Sequence, residues 1–394
     1  MMQPFEFFSV PQIVFGRGSF QRVGEIIAAR GRVAMIVSNA GEPGDGRLVD
    51  RLIENLTRAG VAWRFWKQSG EPQVAHIEQA LAVARQGECD CVIGIGGGSA
   101  IDAAKAVAAL IANGGSPLDY MEVIGKGEKI RKPAAPWIAV PTTAGTGAEA
   151  TRNAVIGCPE KRFKASLRSP YLIAHVAIVD AELSADVPRE VVACSGMDAL
   201  CQLIESYTSN QANVFSDPLA IQGIQLASRS LLRAWQDPSD LEARDDMALA
   251  ALLSGITLTN AGLGAVHGFA APMGAYLPIP HGTICAALLP HVIAANVDSL
   301  CVVDPDHIAL MKYATVGRLV SDAMDLPFSV AVENAIHFVA DLAEQMGIPR
   351  LGPFGLTHEN ALEIAALARK ASSMRYNPVV LDEQVLVQIL EKAM

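Results

Sequence analysis

Two polar side chains, Asp198 and Gln202, stand four residues apart in the apolar stretch SGMDALCQLIE, residues 195–205. If this stretch is helical, both side chains project from one face of the helix. A carboxylate oxygen and an amide carbonyl oxygen can each ligate a divalent cation. The pair is therefore either half of a metal site or two polar residues on a buried helix, and the stretch by itself leaves both interpretations open.

A second candidate site is the glycine-rich stretch GIGGGSAIDAAKAVA, residues 94–108, which follows a predicted strand and begins a predicted helix. Glycines let a backbone approach a pyrophosphate closely, and the free amides and dipole of the following helix attract its negative charge. The stretch follows the third strand, and no convincing ribose-binding acid ends the next one, so it is not the standard Rossmann fingerprint. A tight turn without a ligand is the alternative.

A third stretch, PTTAGTGAEAT at residues 141–151, leaves a predicted strand with several hydroxyls and glycines. Thr142, Thr143 and Thr146 are suited to hydrogen-bond a phosphate, a ribose or a carboxamide. Alone, the stretch would be interpreted as a loop.

The elements that must position these residues differ between the two halves of the chain. Short apolar runs alternate with helical periodicity in the first half, which predicts a parallel sheet covered on both faces. Predicted strands lie at 32–38, 61–66, 91–98, 137–143 and 175–180, and predicted helices lie near 46–59, near 73–87 and from about 100. Beyond about residue 185 the apolar spacing is helical throughout, so we predict an α/β domain at 1–185 and an all-α domain at 186–394.

Composition limits the kind of ligand. Hydrophobic residues make up 51% of the 394-residue chain and charged residues 18%, which is typical of a compact globular protein. The net charge of −10 and the lack of a basic run argue against nucleic-acid binding and favour a small-molecule ligand. Seven cysteines form no C-x-x-C pair, so each is interpreted as a buried thiol in a reducing compartment.

A membrane location is not predicted. No Asp, Glu, Lys or Arg occurs from Met247 to Val297, but four prolines interrupt this segment, which favours buried helices of a soluble domain. The N-terminal segment MMQPFEFFSVPQIVFG has no basic region of the kind that begins a secretory signal. We therefore expect a cytoplasmic protein.

The order and spacing of the two nucleotide motifs resemble the iron-containing alcohol dehydrogenase family, within the dehydroquinate synthase-like superfamily. The resemblance covers nearly the whole chain, from FGRGSF at 15–20 to VHGFAAPMGAYLPIPHGTICAALLPHV at 266–292, and includes Lys164 sixteen residues before Asp180. It implies a Rossmann-like α/β domain that binds the dinucleotide and an all-α domain that binds the metal and the substrate.

The resemblance also implies a cofactor, NAD or NADP, between the two domains. The pyrophosphate would lie over Gly97, Gly98 and Ser99, while Thr142 and Thr143, with Lys164, would flank the ribose and nicotinamide. Asp102 belongs to the same GGGSxxD pattern, although an acid in the first turn of a helix can simply satisfy the helix dipole.

At Asn39, many members of the family carry an aspartate that binds the adenosine ribose and repels a 2′-phosphate. Asparagine removes that repulsion, which makes NADPH admissible. Its alternative interpretation is an ordinary turn residue.

For the metal, the resemblance implies Asp198, His267 and His281 as ligands, with a histidine expected four residues after the aspartate. Gln202 occupies that position. An amide oxygen is a weaker donor than imidazole, so a site for Fe²⁺, Zn²⁺ or Mn²⁺ would hold its ion weakly, through Gln202 directly or through a water, or would have lost it. Ala271 is a second departure, since members often carry a histidine there.

The leading hypothesis is a cytoplasmic, oligomeric, NAD(P)-dependent dehydrogenase that interconverts a small alcohol and its aldehyde or ketone, as a dimer. A metal-independent reductase like the maleylacetate reductases is the first alternative, motivated by Gln202 and Ala271. A lyase like dehydroquinate synthase is disfavoured, because residues 255–292 contain no Lys or Arg to bind an anionic substrate. A nucleotide-binding protein without catalysis is the remaining alternative.

Overall fold

A computed structural model describes residues 4–161 and 163–394. Residues 1–3, which belong to the N-terminal segment behind the localisation prediction, and residue 162 lie outside the described residues. The described chain forms two compact units, Phe8–Val187 and a second unit that contains Pro188–Met394 together with residues 4–7. The sequence prediction had placed the corresponding boundary between residues 185 and 186.

The first unit contains the predicted parallel sheet. Its six strands are β1 Ile13–Phe15, β2 Val33–Ser38, β3 Ala62–Lys67, β4 Cys91–Gly96, β5 Trp137–Pro141 and β8 Val176–Val179. They pair in the order β1-β8-β5-β4-β2-β3, all parallel. Strands β2, β4 and β5 lie inside the sheet and are almost wholly buried, as expected for strands covered on both faces.

Two β elements of this unit were not predicted. One is the three-residue edge strand β1, which is too short to show a periodic pattern. The other is an antiparallel hairpin of β6 Asn153–Cys158 and β7 Phe163–Arg168, whose residues mostly alternate between buried and more exposed positions, as is typical of a pair with one face covered.

The helices of the first unit include α4, which begins directly at the end of a strand. They are α1 Val23–Ala28, α2 Leu48–Arg58, α3 Val74–Gln86, α4 Gly98–Asn113 and α5 Pro117–Tyr120. Gly96 at the end of β4 is the register partner of Pro141 at the end of β5. The two nucleotide motifs therefore leave neighbouring strands at the same edge of the sheet, which is where open α/β sheets bind ligands.

From Pro188 to Met394 the regular secondary structure is helical, as predicted. The helices are α6 Arg189–Thr208, α7 Ser216–Gln236, α8 Leu241–Ala261, α9 Ala265–Tyr276, α10 His281–Val303, α11 Ile308–Val320, α12 Phe328–Gln345, α13 His358–Ala368 and α14 Glu383–Lys392. Helices α6, α8 and α10 have buried residues on every side, so they show little amphipathic periodicity.

The charge-free segment noted in the sequence forms the end of α8, all of α9 and most of α10. By length and composition α10 could cross a membrane, and α8 with α9 could do so as a pair bent by 100°. A buried core helix has the same composition, and α10 packs against α6, α9 and α12 with half of its most apolar window buried.

Candidate active site

The buried second half of helix α6 presents three polar side chains along one face. Asp198, Gln202 and Glu205 are spaced by four and three residues, and all three are buried. These three buried polar groups require partners, because an unpaired buried polar group is costly. Their partners come from α8, α9 and α10.

His267, near the beginning of α9, lies between two of these carboxylates. Its Nδ1 is 2.6 Å from Glu205 Oε2, and its Nε2 is 3.2 Å from Asp198 Oδ1. Glu205 is itself held in place, because its Oε1 accepts the backbone N–H of Val266 at 2.7 Å. Glu205 thus stabilises the proton on Nδ1 and leaves Nε2 facing Asp198, the arrangement found behind many metal-bound histidines.

His281, the first residue of α10, approaches the same carboxylate oxygen. Its Nε2 lies 3.5 Å from Asp198 Oδ1, and the two histidine rings are 5.3 Å apart. The His281 side chain is 44% exposed, whereas those of His267 and Asp198 are nearly inaccessible. The cluster is therefore open to solvent on the His281 side.

Cys285, one helical turn after His281, adds a fourth donor that the sequence interpretation missed. Its Sγ lies 3.7 Å from His281 Nε2 and 3.8 Å from His267 Nε2. We had interpreted all seven cysteines as small core residues. The available signal was the spacing of four residues from His281 on a predicted helix, which puts both side chains on one face.

Gln202 contacts the cluster through hydrogen bonds. Its Nε2 donates to Asp198 Oδ2 at 3.1 Å, and its Oε1 accepts from the Ser254 hydroxyl of α8 at 2.9 Å. Both amide atoms therefore have protein partners, and the amide orients the Asp198 carboxylate. The ligand role of Gln202 stays a prediction from the sequence.

The ionisation of the cluster follows from burial and from its mutual contacts. Burial opposes ionisation of Asp198, but the imidazoles of His281 and His267 outweigh it and hold the pKa of the carboxyl well below its usual range. Burial raises the pKa of the Cys285 thiol well above its usual range. A buried carboxylate thus faces two imidazole nitrogens and a thiol.

This donor set fits a divalent cation. Asp198, His267, His281 and Cys285 each offer one ligand atom, and these atoms lie within 4.8 Å of one another. One carboxylate, two imidazoles and one thiol are ligands that Zn²⁺ and Fe²⁺ both accept. Glu205 behind His267 and Gln202 behind Asp198 provide the outer hydrogen bonds that such sites require.

In the α/β unit, the first nucleotide motif is arranged around Asn39. Its Oδ1, just beyond β2, accepts the backbone N–H of Gly97 at 3.0 Å. Gly96 has a φ of 142°, and a Cβ atom there would lie 1.9 Å from Asn39 Oδ1. Gly98 is closely packed as well, since its Cβ would lie 2.8 Å from Thr146 Oγ1. The motif therefore requires glycine for close approach of backbone and side chains.

Three more of the residues predicted to bind the cofactor, Ser99, Thr142 and Thr143, lie around the same turn. Thr143 is 3.5 Å from the position of a Cβ on Gly97, and the N–H of buried Thr142 donates to the Gly96 carbonyl at 2.9 Å. Ser99 is half-buried in the first turn of α4. The structure thus brings the two motifs together, and their contact with a dinucleotide stays a prediction.

Asp102 joins a buried network. Its Oδ1 accepts from Lys105 Nζ at 3.2 Å and its Oδ2 from the Val155 N–H at 2.9 Å. Lys105, which the sequence interpretation did not single out, is fully buried and also donates to Thr151 Oγ1 and to the carbonyls of Ala148 and Asn153. The network attaches α4 to the second motif and to β6, so Asp102 holds the two motifs in register.

Lys164, on β7, forms an ion pair with Glu71. About a quarter of its side chain is exposed, against more than half for its partner. Its predicted place beside the ribose and nicotinamide is not tested by these contacts.

Comparison with known proteins agrees with this geometry. Residues 11–181 match the family model for iron-containing alcohol dehydrogenase, and residues 192–394 match the C-terminal model for the same family. The chain is 35% identical over 384 residues to the probable alcohol dehydrogenase EutG of Escherichia coli, covering 96% of this chain and 92% of that protein.

Solved structures of this fold are similar over nearly the full length. A 1,3-propanediol oxidoreductase superposes with a TM-score of 0.91 at 31% identity and covers 100% of both chains. A sulfoacetaldehyde reductase from Bifidobacterium kashiwanohense, solved in complex with NAD⁺, superposes with a TM-score of 0.85 at 26% identity over 99% of both chains. The chain therefore belongs to the iron-containing alcohol dehydrogenase family and is an oxidoreductase.

Proposed function

We propose that this enzyme interconverts a small alcohol and its aldehyde or ketone, using NAD or NADP and a divalent cation held by Asp198, His267 and His281. The observation that carries the proposal is the convergence of two imidazole Nε2 atoms on one oxygen of a buried carboxylate, at 3.2 and 3.5 Å. A buried structural ion pair needs only one such partner, whereas three convergent donors are what a cation requires.

Each residue around the cluster has a positioning task. Gln202 holds Asp198 Oδ2, so that Oδ1 points at the histidines. Glu205 holds His267 Nδ1, so that Nε2 is the free nitrogen. When bound at such a site, a divalent cation polarises the substrate oxygen and lowers its pKa, which favours hydride transfer to or from the nicotinamide.

For the cofactor, Gly97, Gly98 and Ser99 would supply backbone amides at the N-terminus of α4 for the pyrophosphate, with Thr142, Thr143 and Thr146 as hydroxyl donors. Asp102 would hold the two motifs in place through Lys105 and the Val155 N–H, and Lys164 would flank the ribose and nicotinamide. The NAD⁺ complex of the similar sulfoacetaldehyde reductase supports a nicotinamide dinucleotide. Asn39 introduces no negative charge beside a 2′-phosphate, which supports use of NADP as well as NAD.

The substrate class follows from the relatives and from charge. The similar proteins are named for alcohols or an aldehyde, and residues 255–292 of this chain contain no Lys or Arg. A small uncharged alcohol suits that segment better than an anionic one. A cytoplasmic homodimer completes the proposal, and the mass of the protein in solution, measured by light scattering, tests the dimer.

The experiment is metal depletion and reloading. Protein treated with a strong chelator should lose hydride transfer, measured by nicotinamide absorbance across a panel of small alcohols and aldehydes with each cofactor. Reloading with Zn²⁺ or Fe²⁺ should restore it. Full activity in protein shown by elemental analysis to be metal-free would contradict the metal part of the proposal and select a reductase that works without a cation.

A further inference from the structure

We infer that Cys285 is the fourth metal ligand of this enzyme, in place of the imidazole that the family pattern places at position 202, and that the resulting Asp–His–His–Cys set prefers Zn²⁺ to Fe²⁺. The inference rests on the metal site of the proposed function. It changes which side chain completes the site and which ion the site selects.

The separations between the donor atoms match those expected for four protein ligands of one zinc ion, to which the substrate oxygen of the proposed function would add as a fifth ligand. With zinc bonds of about 2.0–2.1 Å to nitrogen and oxygen and about 2.3 Å to sulfur, tetrahedral geometry puts an oxygen–nitrogen pair about 3.3 Å apart and a nitrogen–sulfur pair about 3.6 Å apart. The observed separations are 3.2 and 3.5 Å from Asp198 Oδ1 to the two imidazoles, and 3.7 and 3.8 Å from Cys285 Sγ to the same nitrogens. Four ligand atoms are thus already at near-ligand spacing.

A neighbouring group of Cys201, Glu205 and His267 Nδ1 also brings three donors together, but its geometry is different. Glu205 Oε2 and His267 Nδ1 are 2.6 Å apart, which is a short hydrogen bond and too close for two ligands of one ion. Cys201 Sγ lies at 4.0 Å from the same nitrogen. Glu205 and Cys201 therefore contact His267 at Nδ1 and hold its ring in place. The ion would bind on the opposite side of the ring, at Nε2.

Gln202 is not available as the fourth ligand in this arrangement. Its carbonyl oxygen accepts from Ser254 and its nitrogen donates to Asp198. The substitution of histidine by glutamine at 202 and the presence of cysteine at 285 are thus two parts of one site, in which the fourth donor has moved from α6 to α10.

The net charge of the site also favours Asp198, His267, His281 and Cys285 as the four ligands. Formation of the metal–sulfur bond releases the thiol proton to water, so the site then contains two anionic ligands, the Asp198 carboxylate and the Cys285 thiolate. Two negative charges neutralise a divalent ion in a largely buried site, where net charge is costly. Thiolate is also a soft ligand, which favours zinc over the harder iron.

Cobalt substitution tests the ligand without relying on turnover. Co²⁺ replaces Zn²⁺ and reports thiolate ligation by an intense near-ultraviolet charge-transfer band, separate from its weak visible bands. Metal-free full-length protein titrated with Co²⁺ should develop this band with one equivalent per chain. Zinc-edge X-ray absorption of the zinc-loaded wild-type protein should show one sulfur neighbour, a result that needs no variant.

Matched variants identify the thiol. Cys285→Ser should lose the charge-transfer band and bind Zn²⁺ more than about 100-fold more weakly, beyond the 10–100-fold typical of outer-shell changes. Its affinity for Fe²⁺ should fall less. Cys301→Ser, at the exposed end of the same helix, and Cys201→Ser, beside His267, should both keep the band. Gln202→Leu should keep the band and weaken binding by about tenfold.

The other outcomes separate this inference from the proposed function. Visible cobalt bands without a charge-transfer band, together with metal-dependent dehydrogenase activity, would overturn the role of Cys285 and leave the function standing. A band that survives Cys285→Ser but is lost in Cys201→Ser would overturn it as well. Hydride transfer by protein that binds no Co²⁺ would contradict both the inference and the metal part of the proposed function.

Discussion

The two units of this enzyme each bury a network of charged side chains, and the two networks differ in whether the protein itself completes them. In the α/β unit, fully buried Lys105 has a carboxylate, a hydroxyl and two carbonyl oxygens as acceptors. In the helical unit, Asp198 Oδ1 faces two imidazole nitrogens, with a thiol beside them, and these groups are themselves ligand atoms. The first network is satisfied by the fold, whereas the second leaves ligand atoms facing one another, as the proposed cation requires.

That difference predicts different consequences for metal affinity when one carboxylate in each network is neutralised. Asp198→Asn should lower metal affinity more than 100-fold and kcat/KM about 1000-fold, equivalent to about 4 kcal/mol, because it removes the anionic ligand. Its free energy of unfolding without metal should also fall, because the imidazoles of His267 and His281 stabilise the ionised carboxylate in the folded protein. Metal titration and denaturant unfolding measure the two effects.

Asp102→Asn is the matched change in the α/β unit. It should leave metal affinity unchanged and destabilise the protein by about 3 kcal/mol, because fully buried Lys105 then loses the carboxylate that accepts from its Nζ. If both variants lost metal and neither lost stability, the distinction between the networks would be wrong.

The α/β unit also predicts a pH effect that can be assigned to a single acid. Burial raises the pKa of Glu149, within the second nucleotide motif, from 4.5 to about 7. Because this acid is harder to ionise when folded, the folded state loses stability as pH rises from about 4.5 through about 7. Glu149→Gln removes that loss, so its stability relative to wild type should rise by about 3 kcal/mol between pH 4.5 and 8.

Thermal or denaturant unfolding of metal-free protein at the two pH values measures this shift. A stability difference between variant and wild type that does not change with pH would show that Glu149 titrates normally in the folded state.

In the helical unit, Glu205→Gln tests whether the hydrogen bond from Glu205 to His267 Nδ1 contributes to metal binding by His267. The change keeps the size of the side chain but removes the charge that holds the proton on His267 Nδ1, so metal affinity should fall 10- to 100-fold. Isothermal titration with Zn²⁺ measures it. Glu363→Gln, an exposed acid that contacts Tyr276 on the same helix as His267, is the control and should have no effect.

The smallest expected effect concerns the nucleotide motif. Asn39→Asp keeps an oxygen that can accept the Gly97 N–H and adds one negative charge, so only the interaction with a 2′-phosphate should change. We expect kcat/KM with NADPH to fall about tenfold and that with NADH to change little. Equal losses with both cofactors would indicate that Asn39 acts only through the shape of the turn.

The sequence predicted local features well and contacts made by the fold poorly. The sheet, the helical second half and the glycine turn after β4 follow from local periodicity and from neighbours in the chain. Contacts between residues that are distant in the sequence were harder to predict. Lys105 was missed because nothing adjacent in the sequence marks its acceptors at 148, 151 and 153.

Cys285 was missed for a related reason. The sequence analysis considered only the number and spacing of the seven cysteines. The proposed ligand role of Cys285 depends instead on the fold, which brings Asp198, His267 and His281 close to its sulfur. For Gln202 the family pattern indicated a ligand position. Its hydrogen bonds with Asp198 and Ser254 join residues on different helices or turns and could be found only in the structure.

The most direct test of the central claim is anomalous X-ray diffraction at the zinc edge from crystals of zinc-loaded protein. We predict one ion per chain, within about 2.0–2.3 Å of Asp198 Oδ1, His267 Nε2, His281 Nε2 and Cys285 Sγ. An ion bound elsewhere, or no anomalous density in crystals of protein that still transfers hydride, would contradict the account.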